Sequence, residues 1–147
     1  MFEAIVVGTD GSPTASEAVR QATELARMCG ARVHVVSAYE AVGSAQLREV
    51  RNQALEGQEW VVNPRDDAEA ALRSAADGMH AAGVEVTTYA RQGDPADAIL
   101  DVAEEQHADA IVVGNKGMTG AERFLLGSVP NKLSHHAPCS VVIIRTG

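Results

Sequence analysis

Five short apolar runs rich in β-branched residues punctuate the chain: Ala4–Thr9, Val33–Ala38, Val84–Ala90, Ala110–Gly114 and Val141–Arg145. Between them the apolar positions fall at helical spacing. One stripe joins Ala15, Ala18, Val19, Ala22, Leu25, Ala26 and Cys29; a second joins Ala68, Ala71, Leu72, Ala75, Met79 and Ala82; a third joins Ala96, Ile99, Leu100 and Ala103. Small residues dominate these stripes, which suits helices lying close against a sheet. Ser12-Pro13, Asn63-Pro64 and Asp94-Pro95 each place a capping side chain before a proline whose fixed φ starts a helix. Gly30 and Gly83 follow two helices as left-handed stops, and Pro138 ends the last one. Strands alternating with helices predict an α/β fold, a parallel sheet with helices on both faces. No internal repeat or linker divides the chain, so residues 1–147 read as a single domain. The stretch from Glu40 to Val62 breaks the rhythm, carries the only tryptophan, Trp60, and reads as a lid, partner surface or mobile insertion.

Composition narrows the function classes. A formal net charge of -8 argues against a nucleic-acid partner, which needs a basic footprint. No apolar stretch approaches the roughly 20 residues of a membrane span. The opening Met1-Phe2-Glu3-Ala4-Ile5 lacks the basic start of a signal peptide, and the expectation is a cytoplasmic protein. Cys29 and Cys139, the only cysteines, lie in apolar surroundings and read as buried thiols.

The most informative run lies near the C-terminus: Gly114-Asn115-Lys116-Gly117, nine further residues, then Gly127-Ser128 opening a helix. Glycine after a buried strand lets backbone approach a ligand, and a Gly-Ser pair at a helix start offers free N–H groups and a hydroxyl at the positive end of the dipole. That is the chemistry of a phosphate cradle. A second glycine-bearing turn, Gly8-Thr9-Asp10-Gly11-Ser12, leaves the first strand. If the first and fourth strands are neighbours, both turns face one crevice where strand order reverses. Asp10 then orients a base or sugar hydroxyl, or serves only a local turn with Ser12, itself an N-cap. His135-His136 read as charges at a helix C-terminus, and Phe124-Leu125-Leu126 as a core or loop anchor.

The spacing G-x2-G-x9-G-S in this strand–loop–helix setting, with the opening IVVGTDGS and the closing GNKGMTGAERFLLGSVPNKLSHHAPCSVVIIR, resembles the universal stress protein family along the whole chain. The resemblance implies an open, Rossmann-like sheet in the order 3-2-1-4-5, similar to the adenine nucleotide alpha hydrolases, with an adenine nucleotide at the strand 1/4 crevice. It places Gly8, Thr9 and Asp10 at the base and ribose, Ala38 at the adenine, and Val113 and Gly114 on the ribose side. Gly117, Gly127, Ser128 and Val129 would wrap the phosphates, and Lys116 would supply a cation or stand solvated. ATP with Mg2+ or Mn2+ is the implied ligand. Two departures make AMP or cyclic AMP competitors. Pro130 stands where many relatives carry Ser or Thr, removing an N–H and a hydroxyl, and Asn115-Lys116 replaces the commoner Ser-His or Ser-Arg.

The functional expectation is a regulatory nucleotide binder of the stress response. An enzyme on the same fold, a slow ATPase or nucleotidyl transferase, is the alternative, and an interaction module that has lost the nucleotide is a third. No SGGxDS loop and no nucleophile–base pair accompanies the cradle, so hydrolysis is expected to be slow or absent. The last strand, Val141–Arg145, is continuously apolar although the implied order puts it at an edge, and it reads as a homodimer contact. The other edge is expected to alternate Glu85, Thr87 and Arg91 against Val84, Val86 and Thr88.

Overall fold

Three of the five strands are built from Ala, Ile and Val at nearly every position, and such strands are stable only where both faces are covered. The computed structural model describes residues 1–40, 64–115 and 126–146. In chain order they form β1 (Ala4–Gly8), α1 (Pro13–Cys29), β2 (Arg32–Tyr39), α2 (Arg65–Ala81), β3 (Val86–Gln92), α3 (Pro95–Glu105), β4 (Ala110–Gly114), α4 (Ser128–His136) and β5 (Ser140–Ile144). The strands make one parallel sheet in the order β3-β2-β1-β4-β5. Strand order reverses between β1 and β4, as expected. These two central strands carry the same pentapeptide, AIVVG, and all ten residues are buried.

Alternation along the strands sends Ile5, Val7, Val33, Val35 and Val112 to a core shared with α1 and α2. Val6, Val36, Ile111 and Val113 face the opposite core, with α3 and α4. The small-residue stripes of the helices meet these faces: Ala15, Ala18, Ala22 and Ala26 are buried on α1, and Ala68, Leu72, Ala75 and Met79 on α2. On α3 the buried face is broader than the stripe read from spacing, taking in Ala98 and Val102 as well as Ala96, Ile99 and Ala103.

The helix punctuation is mostly as the sequence reads. Ser12 caps α1 by accepting from the Ala15 N–H at 3.2 Å, and Asp94 caps α3 by accepting from the Asp97 N–H at 3.0 Å. Gly30 and Gly83 adopt φ of 70° and 77° after α1 and α2. Asn63 lies outside the described residues, and α2 has Pro64 at its N-cap with no side-chain cap. The proline ring at 138 holds Ala137 extended, at ψ 141°, and so ends α4. His135 and His136 occupy its last turn.

Several expectations need correction. Cys29 and Cys139 are half-buried free thiols, not fully buried ones, because one ends α1 and the other precedes an edge strand. Burial still raises the Cys139 pKa and keeps it protonated. The first and last strands end one residue early, at Gly8 and Ile144, and the third runs two residues later than its apolar run. Thr88 is exposed together with Thr87, because it lines a cleft of about 450 Å3 between α2 and β3. Arg91 does not simply point to solvent. Its guanidinium pairs with both Glu105 oxygens, at 3.1 and 2.8 Å, and lies 5.5 Å from the Tyr89 ring centroid. Leu126 is 42% exposed and anchors no core. Residues 41–63 and Phe124-Leu125 lie outside the described residues.

Two consequences can be measured. A Cβ built on Gly114 falls 2.6 Å from Thr14 Cγ2 and 3.1 Å from the Thr14 carbonyl oxygen, so the first turn of α1 rests directly on the end of β4. Gly114→Ala is expected to destabilise the fold by about 1–3 kcal/mol through overpacking. Adding Thr14→Ser, which removes the methyl but keeps the hydroxyl, should recover a large part of the loss in urea denaturation. Additive losses would mean that the methyl contact is not the cause. His34 is buried on β2 with Nδ1 2.9 Å from the Tyr89 hydroxyl, and desolvation, helped by Arg32, lowers its pKa below the ordinary value. The unfolded chain therefore takes up the proton first as pH falls. Stability from this group is complete above the unfolded pKa of about 6.5 and declines as pH drops through the lower folded value. His34→Leu should flatten the stability profile between pH 7 and 5, read from urea midpoints across that range.

Candidate functional site

The carboxyl ends of β1, β2 and β4 lie side by side, and the residues leaving them form the candidate site. Gly8 pairs with Val36, and the next residue, Thr9, donates its N–H to the Val36 carbonyl at 2.9 Å. Thr9 is 2% exposed, and its hydroxyl accepts from the Gly11 N–H at 3.1 Å. Asp10 Oδ1 accepts from the Ser12 N–H at 2.9 Å, so the local Asx turn is real. Gly11 takes φ 82°, the conformation that lets this turn enter α1. Thr9, Asp10 and Gly11 also form one end of a cleft of about 650 Å3 between α1 and α2, which continues past Val19, Thr23, Ala71 and Ala75.

Ala38 lies near the end of β2 and is buried. Val113 and Gly114 end β4 opposite Ile143 and Ile144 of β5. Gly114 owes its identity to the contact with Thr14, a structural reason that the glycine spacing alone does not reveal. On the far side of the crevice, Gly127 is the N-cap of α4, with φ -62° and ψ 166° and no side-chain cap. Any residue tolerates that backbone, so conformation does not demand glycine there. Ser128 is exposed and Val129 buried in the first turn. By helix geometry the Ser128 and Val129 N–H groups have no acceptor within the helix, Pro130 has no N–H, and Asn131 donates to the Gly127 carbonyl at 3.0 Å. Two adjacent backbone donors thus have no partner within the helix, at the positive end of its dipole. Lys116 and Gly117 lie outside the described residues.

The structure therefore assembles Gly8, Thr9, Asp10, Ala38, Val113 and Gly114 along three adjacent strand ends, with Gly127, Ser128 and Val129 opening the helix that follows β4. The α1/α2 cleft takes only Thr9 and Asp10 of this set. Lys132, one turn into α4, is no free cation, being 2.7 Å from Asp97 and 3.5 Å from Asp94 on α3. Opposing carboxylates raise its pKa. Among the described residues no three His, Cys, Asp or Glu side chains gather to hold a metal ion.

A group of polar residues outside the expected set ties these loops together. Asn115, 2% exposed, follows β4 and accepts through Oδ1 from the Thr146 N–H at 3.1 Å and from its hydroxyl at 3.2 Å. The Thr146 hydroxyl also lies 3.2 Å from the Thr14 hydroxyl. The start of α1 and the exits of β4 and β5 are thereby linked. A polar residue directly after an apolar strand was the available sequence signal for Asn115, but its partner lies 31 residues away.

Comparison with known proteins agrees with the geometry. Residues 1–145 match the model of the universal stress protein family. A universal stress protein of Mycobacterium tuberculosis is 33% identical over 147 residues, covering 99% of this chain and 97% of its own. One from Methanocaldococcus jannaschii is 30% identical, covering 99% of this chain and 83% of its own. Among solved structures, a universal stress protein in complex with cAMP superposes with a TM-score of 0.73 at 31% identity, covering 99% and 98% of the two chains. The universal stress protein of Archaeoglobus fulgidus in complex with dAMP gives 0.67 at 27% identity, with 97% of each chain covered. With its match spanning nearly every residue, its sheet order and its paired strand-end turns, this chain belongs to the universal stress protein family.

Proposed function

We propose that this protein is a cytoplasmic regulator that binds an adenine nucleotide across the carboxyl ends of β1 and β4. The observation that carries the reading is the uncapped start of α4. Gly127 supplies no side chain to satisfy the first turn, so the Ser128 and Val129 N–H groups are left for an anion beside the point where strand order reverses. Relatives crystallised with cAMP and dAMP support an adenine nucleotide as that anion. In this placement the base and ribose lie against Gly8, Thr9, Asp10 and Ala38, the ribose side meets Val113 and Gly114, and Gly127, Ser128 and Val129 face the phosphates, joined by Lys116 and Gly117.

Two backbone donors suit one phosphate better than three, and Pro130 withholds the third. AMP or cyclic AMP is therefore favoured over ATP. If ATP is bound, Mg2+ or Mn2+ would sit chiefly on its phosphate oxygens, since the described protein groups form no cation cluster. The role is binding and signalling, with hydrolysis slow or absent.

Calorimetry against ATP, ADP, AMP and cyclic AMP, with and without Mg2+, tests this. Micromolar or tighter binding of at least one adenine nucleotide is expected. Gly127→Val should abolish it while the circular dichroism spectrum remains that of the folded protein, because the backbone at 127 accepts a branched residue while the added methyls occupy the phosphate position. Raising the salt should not reproduce the loss. Wild-type affinity in a folded Gly127→Val protein would remove the phosphates from α4.

The same reading includes a homodimer through β5. Val142 and Ile144 pack on one core and Val141 and Ile143 on the other, yet all four remain half-exposed at the sheet edge. An apolar edge of this kind invites strand pairing, and a second copy across a two-fold axis would satisfy both edges. Light scattering at micromolar concentration should give a dimer mass, and Val142→Lys or Ile144→Lys should shift it toward monomer or aggregate. A monomeric wild type would overturn the assignment.

A further inference from the structure

The side-chain amide of Asn115 is buried and only half satisfied. Its Oδ1 accepts twice from Thr146, through the backbone N–H and the hydroxyl. A backbone N–H can only donate, so the atom facing it must be the amide oxygen, and this bond fixes which way the amide is turned. The NH2 group is thereby directed away from Thr146. Nδ2 is buried and meets no acceptor among the described residues. A buried amide donor without an acceptor carries an uncompensated desolvation cost, so such groups in folded proteins call for a partner.

Position supplies the partner's chemistry. Asn115 directly follows Gly114 at the end of β4, on the strand next to β1 in the sheet. Its backbone N–H is held by the Ile144 carbonyl at 2.9 Å, and Thr146 is braced in turn by Thr14 at 3.2 Å. The donor is therefore held in place on both sides before any ligand arrives. Lys132 is already neutralised by Asp94 and Asp97, so a fixed NH2 is a stronger candidate for anion recognition than that cation.

We infer that the Asn115 side chain is a recognition group of the nucleotide site, its Nδ2 donating to an anionic phosphate oxygen while Thr146 holds its carbonyl. This rests on the nucleotide reading above and adds a fixed side-chain donor beside the backbone donors of α4. Asn115→Asp is the sharpest probe. It keeps the shape and an acceptor for Thr146 but replaces the NH2 donor with an oxygen that repels phosphate.

The test combines calorimetry with a 15N–1H spectrum of labelled protein, in which the Asn115 side-chain NH2 pair is assigned by its disappearance in Asn115→Asp. Titration of the wild type with AMP should move this pair, and titration with adenosine should leave it in place. Asn115→Asp should bind AMP at least tenfold more weakly than wild type while binding adenosine equally well. Thr146→Val, which keeps the NH2 donor, should lose less than Asn115→Asp. If Asn115→Asp does not fold, the pair is assigned by triple-resonance correlation and the wild-type titration decides alone. An NH2 pair unmoved at saturating AMP, one moved equally by adenosine, or unchanged AMP affinity in a folded Asn115→Asp protein would each overturn the inference. A wild type that gives no heat with any adenine nucleotide would instead defeat the nucleotide reading itself.

Discussion

The first turn of α1 lies against Gly114 so closely that even a methyl group there would meet the Thr14 backbone. This contact brings the β1–α1 turn onto the end of β4, where strand order reverses and these two neighbours send their connections to opposite faces. The crevice left by that divergence is where open parallel sheets take their ligands. Thr14 then passes the constraint on through its hydroxyl to Thr146, and Thr146 to Asn115. Three chain segments far apart in sequence are thus held in register by one steric contact and a short chain of hydrogen bonds. A site assembled from strand-end loops needs such bracing, because loops by themselves fix donors poorly.

The two sides of the crevice are made differently. On the β1 side, side chains are spent on the turn itself: Thr9 and Asp10 both bond backbone N–H groups within two residues. On the α4 side the helix begins at a glycine, and the donors are left outward. In the proposed site, shape therefore comes from one side and anion affinity from the other. On that proposal an acidic chain would hold a phosphate through peptide dipoles rather than through net charge.

Much of this was legible in the sequence. The β-branched runs specify buried strands because only parallel strands covered on both faces tolerate apolar residues at every position. The Ser12-Pro13 and Asp94-Pro95 pairs mark helix starts through local chemistry, and both caps form. The resemblance to a known family gave the strand order. Residues whose roles depend on distant partners were harder to read. Gly114 reads as a ligand contact until Thr14 is seen beside it, and Asn115 reads only as a departure from the commoner serine until Thr146 is. Thr88 reads as a covered strand position, but an edge strand's cover depends on how far the neighbouring helix reaches.

A crystal structure of the protein with AMP tests whether an adenine nucleotide's phosphate sits at the start of α4. The expected density places a phosphate within hydrogen-bonding distance of the Ser128 and Val129 N–H groups, with the adenine near Ala38 at the end of β2. Phosphate density remote from α4, with AMP confined to the α1/α2 cleft beyond Asp10, would contradict it.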